Sequence, residues 1–185
     1  MTTDRRRSRL ASAIAALLIA TPSALAAAPA VPKPLPESVL SQALGIHPLG
    51  RGRDTLWGVH LYDATLWVVG DRFTPAQPHA LDIEAGKSVS ADTLVSTATD
   101  QMSSLNLGDG SQLAAWRQEM KRMMPNVRAG DQIVIFCPRD GKTLVYYNGR
   151  SRGEADDATL CPAIMSVWLH PQSKRKEMRK SLLGQ

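Results

Sequence analysis

One arginine in this chain is placed where it could bind an anionic ligand. Arg53 comes just before residues 56–69, an apolar segment in which an unpaired guanidinium would be costly to bury. Its planar fork of donors matches the geometry of a carboxylate, and it can equally bond a phenolate. An ordinary loop arginine with its head in solvent is the alternative interpretation. The residues around Arg53 do not distinguish the two.

The other chemistry-bearing residues do not form a metal or nucleotide motif. None of the four histidines is paired at ligand spacing, and the chain has no HExxH, CxxC or GxSxG motif. No glycine-rich loop follows a strand and opens a helix. Asp156 and Asp157 could act as an acid–base pair, but helix capping explains them more simply. We therefore predict neither a metal ion nor a cofactor.

The first 26 residues have the three parts of a secretory signal. Residues 5–9 are basic, residues 10–20 are apolar but too short for a stable anchor, and Ala24 and Ala26 suit a signal peptidase. We expect cleavage after Ala26 and a periplasmic or secreted protein. An uncleaved membrane anchor is the alternative. No later segment approaches transmembrane length.

The only two cysteines of the chain, Cys137 and Cys161, both follow the expected cleavage site. An even cysteine count in an exported chain favours a disulfide, which would join a strand to the following helix. Two separate buried thiols are the alternative.

The formal net charge of +5 comes largely from the signal segment. The rest of the chain is nearly neutral, so we expect no nucleic-acid partner. Its remaining basic residues are concentrated near the end: Lys174, Arg175, Lys176, Arg179 and Lys180. This cluster is either a solvated helix face or a contact with anionic lipid.

Residues 27–36 are rich in alanine and proline and are not expected to pack, so residues 27–48 are interpreted as a linker and lead-in. The folded domain is predicted over residues 49–185. Residues 56–69 are apolar at both alternating sets, which predicts a strand, or a strand pair bent near Asp63-Ala64, covered on both faces. Shorter strands are predicted at residues 80–85, 132–137 and 143–147, with turns at Asp140-Gly141 and Asn148-Gly149.

Helical patterns lie between and after these strands. Asp92 is the expected cap of the first helix, and Pro125 ends the second. In the second helix Trp116 and Met120 belong to an apolar stripe that either packs in the core or lines a cavity. A third helix follows Asp156 or Asp157, and Ser173 is expected to cap a final basic helix. Because strands and helices are grouped, we predict an α+β fold with an antiparallel sheet and helices on one face.

Short motifs in order resemble the bacterial chalcone isomerase-like domain. They are Gly50-x-Gly52-Arg53, Leu61-Tyr62-Asp63-Ala64-x-Leu66-Trp67, Pro125-x-Val127-x-x-Gly130-Asp131, Tyr147-Asn148-Gly149, Trp168-Leu169-x-Pro171 and Leu182-Leu183-Gly184. The resemblance covers residues 49–184. It implies an open-faced β-sandwich, in which a large antiparallel sheet carries one layer of helices.

The resemblance also implies a binding site. Plant chalcone isomerases stabilise a phenolate with an arginine, a threonine and a Tyr–Asn pair, whereas a related branch binds fatty acids and keeps the arginine. Arg53 matches that arginine, while the threonine position falls near Trp57 and the Tyr and Asn positions fall near Ser90 and Thr97. Three of the four polar groups are therefore absent. The ligand-binding residues implied are Arg53, Trp57, Tyr62 and Thr97.

These observations favour an exported, non-catalytic domain that binds a small amphipathic molecule such as a fatty acid. One alternative is an isomerase or lyase of the chalcone isomerase type, which would use Arg53 with Tyr62 or Tyr146. Another is a structural or interaction domain without a ligand. An apolar cavity of at least about 300 Å³ ending at Arg53 would favour a ligand. A hydroxyl group within its reach would favour an isomerase.

Overall fold

The computed structural model describes residues 31–185, of which Pro32–Gln185 form one compact unit. The predicted signal peptide and residues 27–30 of the predicted linker lie outside the described residues. Within the described part of the chain, no helix combines the length and apolar character that a membrane span requires.

The described chain contains one antiparallel sheet whose six strands follow one another in sequence order. The strands are β1 (His47–Leu56), β2 (Val59–Val68), β3 (His79–Ala85), β4 (Gln132–Cys137), β5 (Thr143–Tyr147) and β6 (Arg150–Ala155). The helices are α1 (Glu37–Gln42), α2 (Ala91–Ser104), α3 (Gly110–Met123), α4 (Leu160–Leu169) and α5 (Lys176–Leu182). Helices α2 to α5 share one hydrophobic core with one face of the sheet. The predicted α+β open-faced sandwich is confirmed.

The β1–β2 hairpin differs from the bend predicted near Asp63-Ala64. Both of these residues lie in the middle of β2 and pair with both neighbouring strands. The chain reverses instead at Trp57-Gly58, where both residues have positive φ, 50° and 79°. Such φ values are typical of the two-residue turns that match strand twist. Strand β1 was not predicted, because its central residues are polar or glycine and show no apolar alternation.

Strand β6 was also missed, although its turn was predicted. Asn148 and Gly149 join β5 to β6 with φ values of 48° and 79°. Most of β6 is polar and exposed at the edge of the sheet, so it lacks the apolar alternation that marks a strand.

The face of the sheet opposite α2 to α5 carries a second, smaller cluster, and this corrects the linker interpretation. Leu35 and Val39 are buried there against Phe136 and Tyr146. Residues 27–36 were expected not to pack, and the domain was expected to begin at residue 49. Because strands β3 to β5 present apolar side chains on this face as well, the segment that precedes β1 covers them.

Helix α2 begins earlier in the sequence than expected. Ser90, not Asp92, is the N-cap, and its side chain accepts the Thr93 backbone N–H at 3.2 Å. Asp92 lies in the first turn, where a negative charge favours the helix dipole. Helix α3 is capped by Asp109, which accepts the Gln112 N–H at 2.9 Å.

Of the two acidic residues before α4, Asp156 and Asp157, the second has a structural role. The Asp157 carboxylate accepts the Thr159 N–H at 2.8 Å and the Trp116 indole N–H at 3.1 Å. It thereby joins the start of α4 to α3. Asp156 is exposed and pairs with Lys142 at 3.2 Å.

The predicted disulfide is present. Cys137, the last residue of β4, is bonded to Cys161 in the first turn of α4, with Cα atoms 5.9 Å apart. The bridge holds α4 against the sheet.

Removing this bridge should destabilise the fold. Cys137→Ser with Cys161→Ser should lower the free energy of unfolding by about 3 kcal/mol, because the unfolded chain loses a constraint on a loop of this length. Urea denaturation of residues 32–185 measures the change. Thiol titration of unfolded, unreduced protein should find no free thiol, and two free thiols per chain would contradict the bridge.

Asp82 is a buried carboxyl group on the α1 side of the sheet. It lies in β3 with only 1% of its surface exposed. Burial raises its pKa to about 7, the nearby Glu84 charge acts in the same direction, and the Gln132 amide and Arg51 oppose this only in part. The folded protein therefore holds Asp82 protonated over a pH range in which the unfolded chain ionises it.

This difference should make stability fall as pH rises from about 4 to about 7, since the unfolded state then binds fewer protons than the folded state. Asp82→Asn keeps the shape and removes the ionisation. The stability of the variant relative to wild type should rise by roughly 2–4 kcal/mol between pH 4.5 and pH 8. Urea denaturation at both pH values measures this, and Asp71→Asn controls for the loss of one exposed carboxylate. A constant difference between variant and wild type would refute the assignment.

Candidate functional site

A cavity of about 590 Å³ lies between the sheet and helices α2, α3 and α4. Its inner wall is made of buried apolar side chains: Val95, Met120, Ile133, Ile135, Ile164 and Val167. Hydroxyl groups from the start of α2 lie around its rim: Ser90, Thr93 and Thr97. The volume and the apolar wall are typical of sites for small organic molecules. Of the apolar stripe on α3, Met120 contributes to this wall while Trp116 packs in the core.

Polar side chains from four parts of the chain meet at one end of the cavity. The Arg175 guanidinium lies over the Tyr62 ring, 5.7 Å from its centroid, and its Nη1 pairs with Asp54. The Tyr62 hydroxyl accepts the Trp168 indole N–H at 3.0 Å. Tyr62, Trp168 and Arg175 all line the cavity. We call this group of four residues the mouth cluster.

The strand register explains how Asp54 and Tyr62 come together. They are directly paired across β1 and β2 and both face the helical side of the sheet. Trp168 comes from the last turn of α4. Arg175 immediately precedes α5 and takes its N-cap position; Ser173, the expected cap, accepts the Arg175 backbone N–H at 3.3 Å and donates to Val167 O.

Two glycines of β1 let α5 approach the sheet closely enough to place Arg175. A Cβ at Gly52 would meet the Met178 Sδ, and one at Gly50 would overlap the backbone oxygens of Ser181 and Leu182. These contacts show that α5 runs antiparallel to β1. The start of α5 therefore lies at the Asp54 end of the strand, where the cavity opens.

The mouth cluster presents hydrogen-bond donors to the cavity. Burial raises the pKa of Tyr62 to about 12, so the phenol keeps its proton at neutral pH. Because its oxygen accepts the Trp168 N–H, its own proton is available for a ligand. Burial lowers the pKa of Arg175 from its ordinary value, but the guanidinium still carries its charge at neutral pH. Asp54 engages Nη1, which leaves Nε and Nη2 with no hydrogen-bond acceptor among the described residues.

Two of the residues implied by the resemblance lie at the cavity. Tyr62 is part of the mouth cluster, and Thr97 lies on the exposed rim of α2. Arg53 was considered as the group that binds a carboxylate or phenolate of a ligand, but it does not line the cavity. Trp57 is 95% exposed at the turn of the first hairpin, and Tyr146 is buried under α1 on the other face of the sheet.

Arg53 does not lie at the end of the cavity, where its presence would have favoured a ligand. Alternate residues of a strand point to opposite faces, and Gly52 faces α5, so Arg53 faces away from the helices. Its guanidinium pairs with Asp63 through two bonds, Nε–Oδ1 at 2.7 Å and Nη2–Oδ2 at 3.0 Å. Its side chain is 58% exposed. Arg51 extends this charged group to Glu84 at 2.9 Å.

Sequence reasoning did not bring Arg175, Asp54 and Trp168 together in the mouth cluster. Trp168 stood in a motif of the resemblance, but nothing assigned it a contact. Arg175 stood among five basic residues near the end of the chain and was indistinguishable from its neighbours. Only the packing of α5 on β1 shows that Arg175, and not another of these basic residues, lies at the cavity.

A sequence model described as chalcone isomerase-like matches residues 55–184. This chain belongs to the chalcone isomerase-like family. Among solved structures, it is similar to a fatty-acid-binding protein of Arabidopsis thaliana, with a TM-score of 0.58 and 13% identity over 76% of this chain and 88% of that chain. At this identity the likeness shows a shared fold. No curated protein matches the sequence.

The close packing of α5 on β1 predicts that Gly50 cannot accept a side chain. Gly50→Ala should lower the free energy of unfolding by about 1–3 kcal/mol, because the new Cβ overlaps backbone atoms that cannot rotate away. Gly110→Ala, at the start of α3 with open space around the added Cβ, is the matched control and should not destabilise. Urea denaturation compares the two variants, and equal stabilities would contradict the close approach.

Proposed function

We propose that this chain binds a small amphipathic molecule with an apolar tail and an anionic head, such as a fatty acid, in the cavity between its sheet and helices. The observation that carries the proposal is an apolar cavity of about 590 Å³ that ends at the partly buried Arg175. An apolar wall suits a hydrocarbon tail, and a guanidinium suits a carboxylate head.

The cavity gives the ligand a direction. Its tail would lie against Val95, Ile135 and Ile164, where it removes apolar surface from water. Its head would lie at the mouth cluster, where Arg175 and the Tyr62 hydroxyl donate to it. Lys87, which also lines the cavity, adds a second cation at the rim.

Two observations favour binding over catalysis. A general base works best with a pKa near the operating pH, whereas burial moves the pKa of Tyr62 upward to about 12. The other groups expected for an isomerase, Arg53 and Tyr146, lie on the opposite face of the sheet from the cavity. The Arabidopsis protein with this fold is named for fatty-acid binding, which agrees with the proposal.

We also propose that the protein works outside the cytoplasm. The support is the predicted signal in residues 1–26 together with the Cys137–Cys161 bridge, since structural disulfides persist in oxidising compartments.

Binding should depend on Arg175 and not on Arg53. With dansyl-undecanoic acid as a fluorescent probe, Arg175→Ala should weaken binding by about 10- to 100-fold, the loss expected for a hydrogen-bonded charge. Arg53→Ala is the matched control, because Arg53 also pairs with a carboxylate on β1–β2 but faces away from the cavity. Its dissociation constant should equal that of wild type.

A neutral probe completes the test. The corresponding dansyl alcohol should bind wild type more weakly than the acid and should be insensitive to Arg175→Ala. Equal loss in both arginine variants, or no probe binding to wild type, would refute the proposed site. Turnover of a chalcone above the buffer rate, abolished by Tyr62→Phe, would instead support an isomerase.

A further inference from the structure

We infer that the tip of the β1–β2 hairpin docks on an anionic lipid bilayer and brings the cavity mouth to the membrane surface. The hairpin tip is residues 56–59. The inference rests on the proposed function, since it assigns the source from which the cavity takes its amphipathic ligand.

The hairpin tip exposes apolar side chains that no described residue covers. Trp57 is 95% exposed, and more than half of the surface of Leu56 and of Val59 is exposed. Trp57 also occupies a turn position with φ 50°, where asparagine or glycine is usual. Neither packing nor turn geometry therefore explains a tryptophan here. Tryptophan at the boundary of water and lipid is favoured, because its ring is apolar and its N–H is polar.

The tip is continuous with the cavity. Leu56 is exposed at the tip and also lines the cavity. The mouth cluster follows at once, since Asp54 lies two residues before Leu56 and pairs with Tyr62. A molecule that leaves a bilayer at the tip would meet the cavity without crossing bulk water.

The charges around the tip complement an anionic surface. Lys174 and Lys176 are exposed at the start of α5, which lies at the Asp54 end of β1. Lys87 is exposed after β3, whose end pairs with Tyr62. The nearest strand carboxylates, Asp54 and Asp63, are both engaged by arginines. Glu177 in the first turn of α5 is an exposed carboxylate beside these lysines, and it pairs with Lys180 at 3.1 Å. The three lysines outnumber it, so this surface attracts anionic lipid headgroups.

A protein partner fits this surface less well. A stable protein interface uses about 20–30 residues on each side. The hairpin tip offers three apolar side chains on a narrow two-stranded turn. Insertion into headgroups needs only a small apolar tip with basic flanks.

Flotation with vesicles tests the docking. Residues 32–185, which contain the whole sheet and both hydrophobic clusters, should float with vesicles of 70% phosphatidylcholine and 30% phosphatidylglycerol and much less with phosphatidylcholine alone. Trp57→Asn should reduce flotation at least fivefold. This variant creates Asn-Gly, the preferred sequence for such a turn, so the hairpin is retained. Leu44→Ser, which removes a leucine that is 81% exposed before β1, is the matched control and should float like wild type.

Two further measurements separate this inference from the proposed function. Trp57→Asn should bind dansyl-undecanoic acid in solution like wild type but take it up from the vesicles at least fivefold more slowly. Lys174→Gln with Lys176→Gln should reduce flotation and its dependence on salt. If Trp57→Asn floats like wild type, or if Leu44→Ser loses flotation equally, docking by the tip is wrong even where probe binding holds. A Trp57-dependent dimer in sedimentation, with no flotation, would also overturn it and assign the tip to a second copy.

Discussion

The packing of α5 along β1 is the contact on which the candidate site depends. Gly50 and Gly52 remove the Cβ atoms that would hold the helix away, so the start of α5 reaches the Asp54 end of the strand. There Arg175 meets a carboxylate and an aromatic ring that the β1–β2 register has already placed side by side. Since a partly buried guanidinium needs a partner, Asp54 makes this position tolerable for Arg175. The last segment of the chain thus completes a site begun by its first two strands.

The two faces of the sheet carry different chemistry. On the helical face, β2 to β4 present apolar side chains that leave a cavity beneath α2 and α4. On the other face, α1 covers one apolar cluster, while Arg51 and Arg53 pair with Asp63 and Glu84 beside it. The buried Asp82 belongs to this second face, and its pKa is raised because its carboxyl group is shielded from solvent there. Successive residues of a strand point to opposite faces, so each strand contributes apolar side chains to the helical face and other side chains to the opposite face.

The family motif at the start of the domain acquires a different meaning in this chain. The glycines of Gly50-x-Gly52-Arg53 serve the approach of α5, and the arginine that follows them faces away from the cavity. The cation at the mouth comes instead from the opposite end of the sequence. The proposed function assigns to Arg175 the anion-binding role that the resemblance implied for Arg53.

Much of the fold follows from local sequence patterns. The sequence predicted strands β3 to β5, the helices between and after them, the family and the cysteine pair, because alternation, caps, turns and ordered motifs are local signals. It missed β1 and β6, whose polar edge residues hide the alternation, and the packed residues around Leu35 and Val39, whose burial depends on a distant sheet. Of the residues it proposed for a site, Tyr62 and Thr97 line the cavity, whereas Arg53 does not and Arg175 does. Which face a strand residue occupies depends on register, and which of five neighbouring basic residues meets Tyr62 depends on how α5 packs. The register is decided by pairing between strands, and the packing of α5 on β1 joins segments more than a hundred residues apart, so only the tertiary structure determines them.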